Sequence, residues 1–166
     1  ILVEAAKDIL STSGGTNPTP HILDLGTGSG CIAVSLTRLI PGALITATDI
    51  SREALKVARL NALRNHVQSR INFLESDLFK NRQLRPFGYE AIISNPPYVP
   101  GAEIPLLAPE VRCEPALALD GGRDGLDFYR RIIKQASRYL KARGFLLMEI
   151  GAGQRGPIEK IFLKTQ

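Results

Sequence analysis

The chain is poor in the residues from which metal and redox centres are built. Of 166 residues, two are cysteine (Cys31 and Cys113) and two are histidine (His21 and His66). Neither cysteine stands in a CxxC or Cys/His spacing, so no metal site is expected and the thiols read as those of a reduced compartment. No apolar run approaches the length that spans a bilayer, and no signal-peptide pattern is present, so no membrane association is expected. Aromatic residues make up only 6% and do not interleave with the basic ones, as a single-strand binding surface requires. The net charge is +5, and the basic residues Lys80, Arg82, Arg85, Arg130, Arg131, Lys134, Arg138, Lys141 and Arg143 fall on positions expected to be exposed. These read as solvated positions, and direct nucleic-acid binding is not expected.

What is present is the content of one globular domain. Residues 1–6 read as a helix already under way and 157–166 as one just begun, so the chain is expected to be a piece of a longer protein. Helical periodicity covers residues 2–10, and a turn-rich stretch follows at 13–18. Strands are expected at 21–25, 43–50, 71–74, 89–94 and 145–150, and helices at 31–40, from Ser51 onward, and at 126–142. In the last helix Phe128, Ile132, Ile133, Ala136 and Leu140 are expected to face inward, with Gly144 as its stop. Residues 96–125 read as one long, proline-rich loop. The alternation of strand and helix predicts a parallel sheet covered on both faces, with ligands at the carboxyl ends of its strands.

The candidate residues fall at those ends. Asp24-Leu25-Gly26-Thr27-Gly28-Ser29-Gly30 joins the first strand to its helix. Its glycines allow a tight turn and close approach of a ligand to the backbone. An empty strand-to-helix turn would carry the same glycines, and residues 28–33 also match the dinucleotide pattern GxGxxA. No Lys-Ser/Thr pair follows, so this is not a phosphate loop. Asp24 suits a positively charged ligand such as a sulfonium with an amino group. Asp49, some twenty residues on, is spaced to hold ribose hydroxyls, which NAD and S-adenosylmethionine share. At the third strand's end Asp77 can accept from an exocyclic amine while Leu78 flanks a ring; an ordinary turn is the plain alternative. Cys31 reads as a small packing residue under the glycine turn, and Cys113 as a loop residue without redox role.

Asn95-Pro96-Pro97-Tyr98, at the end of the fourth strand, narrows the choice. The Asn95 amide carbonyl can accept one N–H of a planar substrate group, and the Pro96 carbonyl a second. Pro96 confines Asn95 to extended geometry, and neither proline can donate into a helix. Tyr98 offers a flat wall. Two acceptors on one NH2 fix its plane and aim the nitrogen at a methyl donor, which is catalysis by orientation.

At this point the chain resembles the HemK/PrmC family of release-factor glutamine-N5 methyltransferases. The resemblance runs through ILDLGTGSGCIAVSL (22–36), ATDIS (47–51), ESDLF (75–79), IISNPPYV (92–99), EPALALDGGRDGLDFYRRI (114–132) and GFLLMEIGAGQ (144–154). It implies a class I methyltransferase catalytic domain over 1–166, with an α/β, Rossmann-like, doubly wound and mostly parallel sheet ordered 3-2-1-4-5. It implies S-adenosylmethionine held by Gly26, Thr27, Gly28, Ser29, Gly30, Asp49, Leu78 and Asn95. Asn95, Pro96, Pro97 and Tyr98 would hold the acceptor, the Gly-Gly-Gln glutamine of a peptide-chain release factor. Glu114 and Pro115 would shape the loop near it. The family's N-terminal helical domain, its Arg-Pro-x-Thr-Glu segment and its last two strands lie outside this chain. The cytoplasm of a bacterium or an organellar matrix is the expected location.

Other readings stay open on the residues alone. The tetrapeptide also suits an exocyclic base amine of DNA or RNA, which would need a flipping pocket. A ribosomal-protein glutamine is an alternative acceptor within the same family. The glycine turn with Asp49 would also serve an NAD-dependent oxidoreductase or a nucleotide-binding domain without catalysis.

Overall fold

The computed structural model describes residues 1–12 and 18–165; the turn expected at 13–18 lies, but for Pro18, outside the described residues. The chain divides into two compact units, residues 1–94 with 136–148 and residues 95–135 with 149–166.

The first unit is built on five parallel strands: β1 (His21–Leu25), β2 (Leu44–Asp49), β3 (Ile71–Glu75), β4 (Tyr89–Ser94) and β5 (Leu140–Met148). Their order is β3-β2-β1-β4-β5, as expected. The central strands are buried on both faces, which is why β1 and β4 read as nearly unbroken apolar runs rather than alternating ones. Ile22, Leu23, Leu25, Ile92 and Ile93 are fully buried. Each such side chain stabilises the fold by about 1.5–3 kcal/mol. The chain order reverses between β1 and β4, the switch point at which open α/β sheets bind ligands.

Helices α1 (Leu2–Thr12), α2 (Cys31–Leu39) and α3 (Arg52–Arg64) belong to this unit. Ser51 caps α3, its hydroxyl accepting the Ala54 N–H at 3.2 Å, with Glu53 in the first turn. α3 buries Leu55, Ala58 and Ala62. Gly30 precedes α2 in a left-handed conformation, φ +80°, and a Cβ there would lie 2.9 Å from the Ala58 Cβ. Glycine at this position lets the start of α2 rest on α3.

The region around residue 140 departs from the sequence expectation. The last long helix is α6 (Asp127–Ala136), not 126–142, and β5 begins at Leu140 instead of 145. Leu140 is therefore a half-buried strand residue, and Gly144 lies inside β5 rather than capping a helix. The Arg138 and Tyr139 carbonyls accept N–H groups of Phe87, Gly88 and Tyr89 at 3.0–3.1 Å, so pairing with β4 overrides helix propensity here. The cost is a bulge: Tyr89 pairs with Leu140 but Ala91 with Phe145, and Arg143 takes φ 66°. Glu90 secures the bulge, accepting from Lys141 Nζ at 2.6 Å and from the His21 N–H at 2.8 Å.

In the second unit, residues 96–125 are not one loop. They contain a 3-10 helix (Gly101–Leu106), α4 (Pro109–Arg112) and α5 (Ala116–Leu119). Prolines open both short α-helices, Pro109 as a first helical residue and Pro115 as the cap before Ala116, so the prolines punctuate helical turns instead of forbidding them. In α6, which ends in the first unit, the fully buried aromatic is Tyr129, while Phe128 is only half-buried. Helix α7 (Arg155–Leu163) follows.

Candidate active site

The strand ends of the first unit are laced together by short-range hydrogen bonds. Leu25 lies opposite Thr48 on one side and Ser94 on the other. The Ser94 hydroxyl donates to the Leu25 carbonyl at 2.8 Å, the Thr27 N–H to the Thr48 carbonyl at 2.8 Å, and the Ser76 N–H to the Asp49 carbonyl at 2.9 Å. The loops after β1, β2 and β3 therefore leave a common edge in fixed geometry.

Each sequence-predicted residue of this edge has a definite setting. Asp49 Oδ2 accepts the Gly28 N–H and Oδ1 the Ser51 N–H, each at 2.8 Å. A carboxylate has about four lone-pair sites, so both oxygens keep acceptor capacity. The Ser29 carbonyl accepts Asn61 Nδ2 at 2.9 Å, a brace from α3 that the sequence reading missed. Gly26 and Gly28 have open space beside them: an added Cβ would meet nothing within 4 Å at either. Thr27 and Gly30 are buried and Ser29 is exposed.

Asp24 is fully buried. Its Oδ2 accepts from the Thr27 hydroxyl at 2.6 Å, while Oδ1 has no hydrogen-bond partner among the described residues. Burial pushes its carboxyl up to about 7, opposed by the Thr27 hydrogen bond and reinforced by the Asp49 charge.

After β3, Asp77 pairs with Lys80 at 2.8 Å. Leu78 is buried with φ 52°, uncommon for a residue with a Cβ. Ser76 holds the turn, donating to the Leu78 carbonyl at 2.6 Å and accepting the Asn81 N–H at 3.0 Å. Cys31, expected to pack under the glycine turn, is exposed; Gly30 against Ala58 takes that packing place. Cys113 is also exposed, at the end of α4.

Asn95 follows the last residue of β4 and is exposed, Pro96 is buried, and Pro97 and Tyr98 are half-buried. Among the described residues no hydrogen bond occupies the Asn95 side chain or the Pro96 carbonyl. The backbone beyond them is held firmly. The Tyr98 carbonyl accepts Gln154 Nε2 at 2.9 Å. The Val99 N–H donates to Leu119 at 2.9 Å, and the Gly121 N–H to the Val99 carbonyl at 2.8 Å. A Cβ on Gly121 would lie 2.8 Å from the Tyr98 Cα, so Gly121 packs backbone to backbone against Tyr98. Glu114 and Pro115 are exposed. Gln154 and Tyr129 were not singled out from sequence. Tyr129 donates to the Glu149 carbonyl at 3.0 Å, and burial, then the nearby Tyr98 and Glu149, push its phenol up to about 12.

Among the described residues no helix is long and apolar enough to cross a membrane, and no group of His, Cys, Asp and Glu is suited to hold a metal ion. Of the expected solvated cations, Arg131 and Lys141 are half-buried and the others exposed.

The parallel sheet ordered 3-2-1-4-5, the glycine turn after β1 and the acid ending β2 are those of a Rossmann-like nucleotide-binding domain, and its relatives place it among the class I methyltransferases. A family model described as the methyltransferase small domain matches residues 3–111. The chain is 46% identical over 157 residues to a release factor glutamine methyltransferase of Gloeobacter violaceus, covering 94% of this chain and 52% of that one. It is 43% identical over 166 residues to a bifunctional methyltransferase of Rickettsia felis, covering 99% of this chain and 31% of that one. In fold it matches the ribosomal protein L11 methylase of Lactobacillus delbrueckii subsp. bulgaricus, with TM-score 0.68, 19% identity, and coverage of 99% of this chain and 66% of that chain. The chain belongs to the methyltransferase small domain family. It spans about half the length or less of these two curated relatives.

S-adenosylmethionine is the cofactor this family implies, and the residues fit it. The space beside Gly26 and Gly28 admits a ligand against the backbone, and Asp49 keeps acceptor capacity for hydroxyls.

Proposed function

We propose that the chain, residues 1–166, is the catalytic domain of an enzyme that methylates the side-chain amide nitrogen of a protein glutamine, the Gly-Gly-Gln glutamine of a peptide-chain release factor. The observation that carries this reading is the pair of uncommitted acceptors, the Asn95 amide oxygen and the Pro96 carbonyl, on a backbone fixed just beyond them at Tyr98. The names borne by the curated relatives support the choice of acceptor.

In this reading Gly26, Thr27, Gly28, Ser29 and Gly30 line the cofactor with their backbone, Asp49 holds its ribose, and Asp77 and Leu78 border its adenine. Asp24 acts from beneath the turn through Thr27. When bound, S-adenosylmethionine supplies the methyl group on a sulfonium leaving group. Asn95 Oδ1 and the Pro96 carbonyl each accept one N–H of the glutamine amide, which fixes its plane and presents the nitrogen. As the new N–C bond forms the amide gives up one proton to solvent, while Asn95 Oδ1 and the Pro96 carbonyl hold its N–H groups only as hydrogen-bond acceptors. Pro97 and Tyr98 bound the planar group. Such an enzyme works where translation terminates, in the bacterial cytoplasm or an organellar matrix.

Incubating the full-length protein with methyl-labelled S-adenosylmethionine and a release factor tests the reading. Labelling is expected, and it should vanish when the Gly-Gly-Gln glutamine is replaced. Transfer to nucleic acid with none to the release factor would reverse the assignment in favour of a base amine.

A further inference from the structure

Gln154 joins three pieces of the second unit through one side-chain amide. Its Nε2 donates to the Tyr98 carbonyl at 2.9 Å and to the Gly125 carbonyl at 3.3 Å, and its Oε1 accepts the Gly151 N–H at 3.0 Å. Its backbone begins α7, with its carbonyl accepting the Ile158 N–H at 3.0 Å. The side chain does not cap that helix. It is spent entirely on the segments bearing Tyr98, Gly125 and Gly151.

The donor and acceptor pattern is specific to an amide. Two carbonyls need an N–H donor, and the Gly151 N–H needs an acceptor on the same side chain; neither a carboxylate nor an alkyl chain supplies both. The glycines around it match this crowding. Gly125 has φ +73°, and a Cβ there would overlap the Tyr98 carbonyl oxygen and lie 2.7 Å from Gln154 Nε2. A Cβ on Gly151 would lie 2.8 Å from Gln154 Oε1 and 3.0 Å from the Tyr98 ring. Tyr98 is thus held by Gln154 as well as by the backbone of Gly121.

We propose that Gln154 is the positioning residue of the substrate clamp: by fixing the Tyr98 carbonyl it sets the direction in which Asn95 and Pro96 present their acceptors to the glutamine amide. This rests on the reading of Asn95 to Tyr98 as that clamp. Gln154 does not touch substrate and acts through the chain two to three residues away.

A double-variant cycle in the full-length protein, with labelled S-adenosylmethionine and a release factor, tests it. Gln154→Glu keeps the length and the acceptor for Gly151 but loses both donors. It should lower kcat by roughly 10- to 100-fold, the scale of a small misplacement of reacting groups. Affinity for S-adenosylhomocysteine should stay within about twofold, because only the clamp is disturbed. Combined with Asn95→Ala, it should cost little more than Asn95→Ala alone. Losses that multiply, or a fall in cofactor affinity parallel to kcat, would mark a merely structural residue and overturn the inference. Should the carboxylate prevent folding, Gln154→Met keeps the bulk without donors and enters the same cycle. An active wild type with an equally active Gln154→Glu overturns the inference alone. A wild type that leaves the release-factor glutamine unmethylated overturns the proposed function and the inference with it.

Discussion

Asp49 Oδ2 accepts the Gly28 N–H at 2.8 Å while the same carboxylate's Oδ1 accepts the Ser51 N–H at 2.8 Å. One side chain therefore ties the glycine turn after β1 to the cap of α3. Asp49→Ala should weaken S-adenosylhomocysteine binding by roughly 10- to 100-fold, the value of hydrogen bonds to a charged group. Asn95→Ala should lose most activity while keeping measurable cofactor binding. Calorimetric titration beside steady-state kinetics separates the two, and equal cofactor loss in both variants would contradict the division of labour.

Asp24 gives the fold a pH signature. Its carboxyl is raised from 3.8 to about 7, chiefly by burial. Below the unfolded value both states are protonated and the fold bears no charge penalty. Between there and about 7 the folded chain holds a proton that the unfolded chain has released, so stability falls as pH rises and levels off above. The shift corresponds to a ceiling of roughly 4 kcal/mol. In denaturation series at about pH 5 to 8, Asp24→Asn should gain on wild type up to about 7 and hold a constant difference beyond. Parallel curves would show that Asp24 is not buried in this way.

Gly30 is a packing residue at a left-handed turn. Gly30→Ala meets the Ala58 Cβ and a disfavoured φ together, and should destabilise by about 2–3 kcal/mol. A denaturant midpoint unchanged from wild type would contradict the close contact between α2 and α3.

Much of the fold can be read from the chain because its parallel strands are buried on both faces. Residues 21–25 and 89–94 are apolar runs bounded by turns, and they come out as β1 and β4 with the same ends. The edge of the sheet is harder. Leu140, Lys141 and Ala142 favour a helix locally, and only pairing with β4, a long-range event, draws them into β5. Phe128 and Tyr129 are adjacent on an amphipathic helix, and periodicity alone does not fix which of the two is the more deeply buried; in the fold it is Tyr129. The glycine turn, Asp49 and the Asn95 to Tyr98 tetrapeptide are visible because chemistry is local to each. Gln154 was not, since its three partners lie 56, 29 and 3 residues away and no spacing rule links them.

Tyr129 is fully buried and its hydroxyl ties α6 to the Glu149 carbonyl. With its phenol pushed up to about 12, it stays a donor to the Glu149 carbonyl throughout the working range. Tyr129→Phe leaves that carbonyl without its donor and should cost about 1–2 kcal/mol of stability, measured by denaturant unfolding. A neutral substitution would place the hydroxyl in solvent.

Mapping the transferred methyl by mass spectrometry decides which nitrogen accepts it. Full-length protein, S-adenosylmethionine and a release factor are combined, and the release factor is then digested. One added methyl group is expected on the side-chain amide of the Gly-Gly-Gln glutamine, lost in the Asn95→Ala variant. A methyl group on any other release-factor residue, or on a nucleic-acid base with the glutamine unmodified, would contradict that expectation.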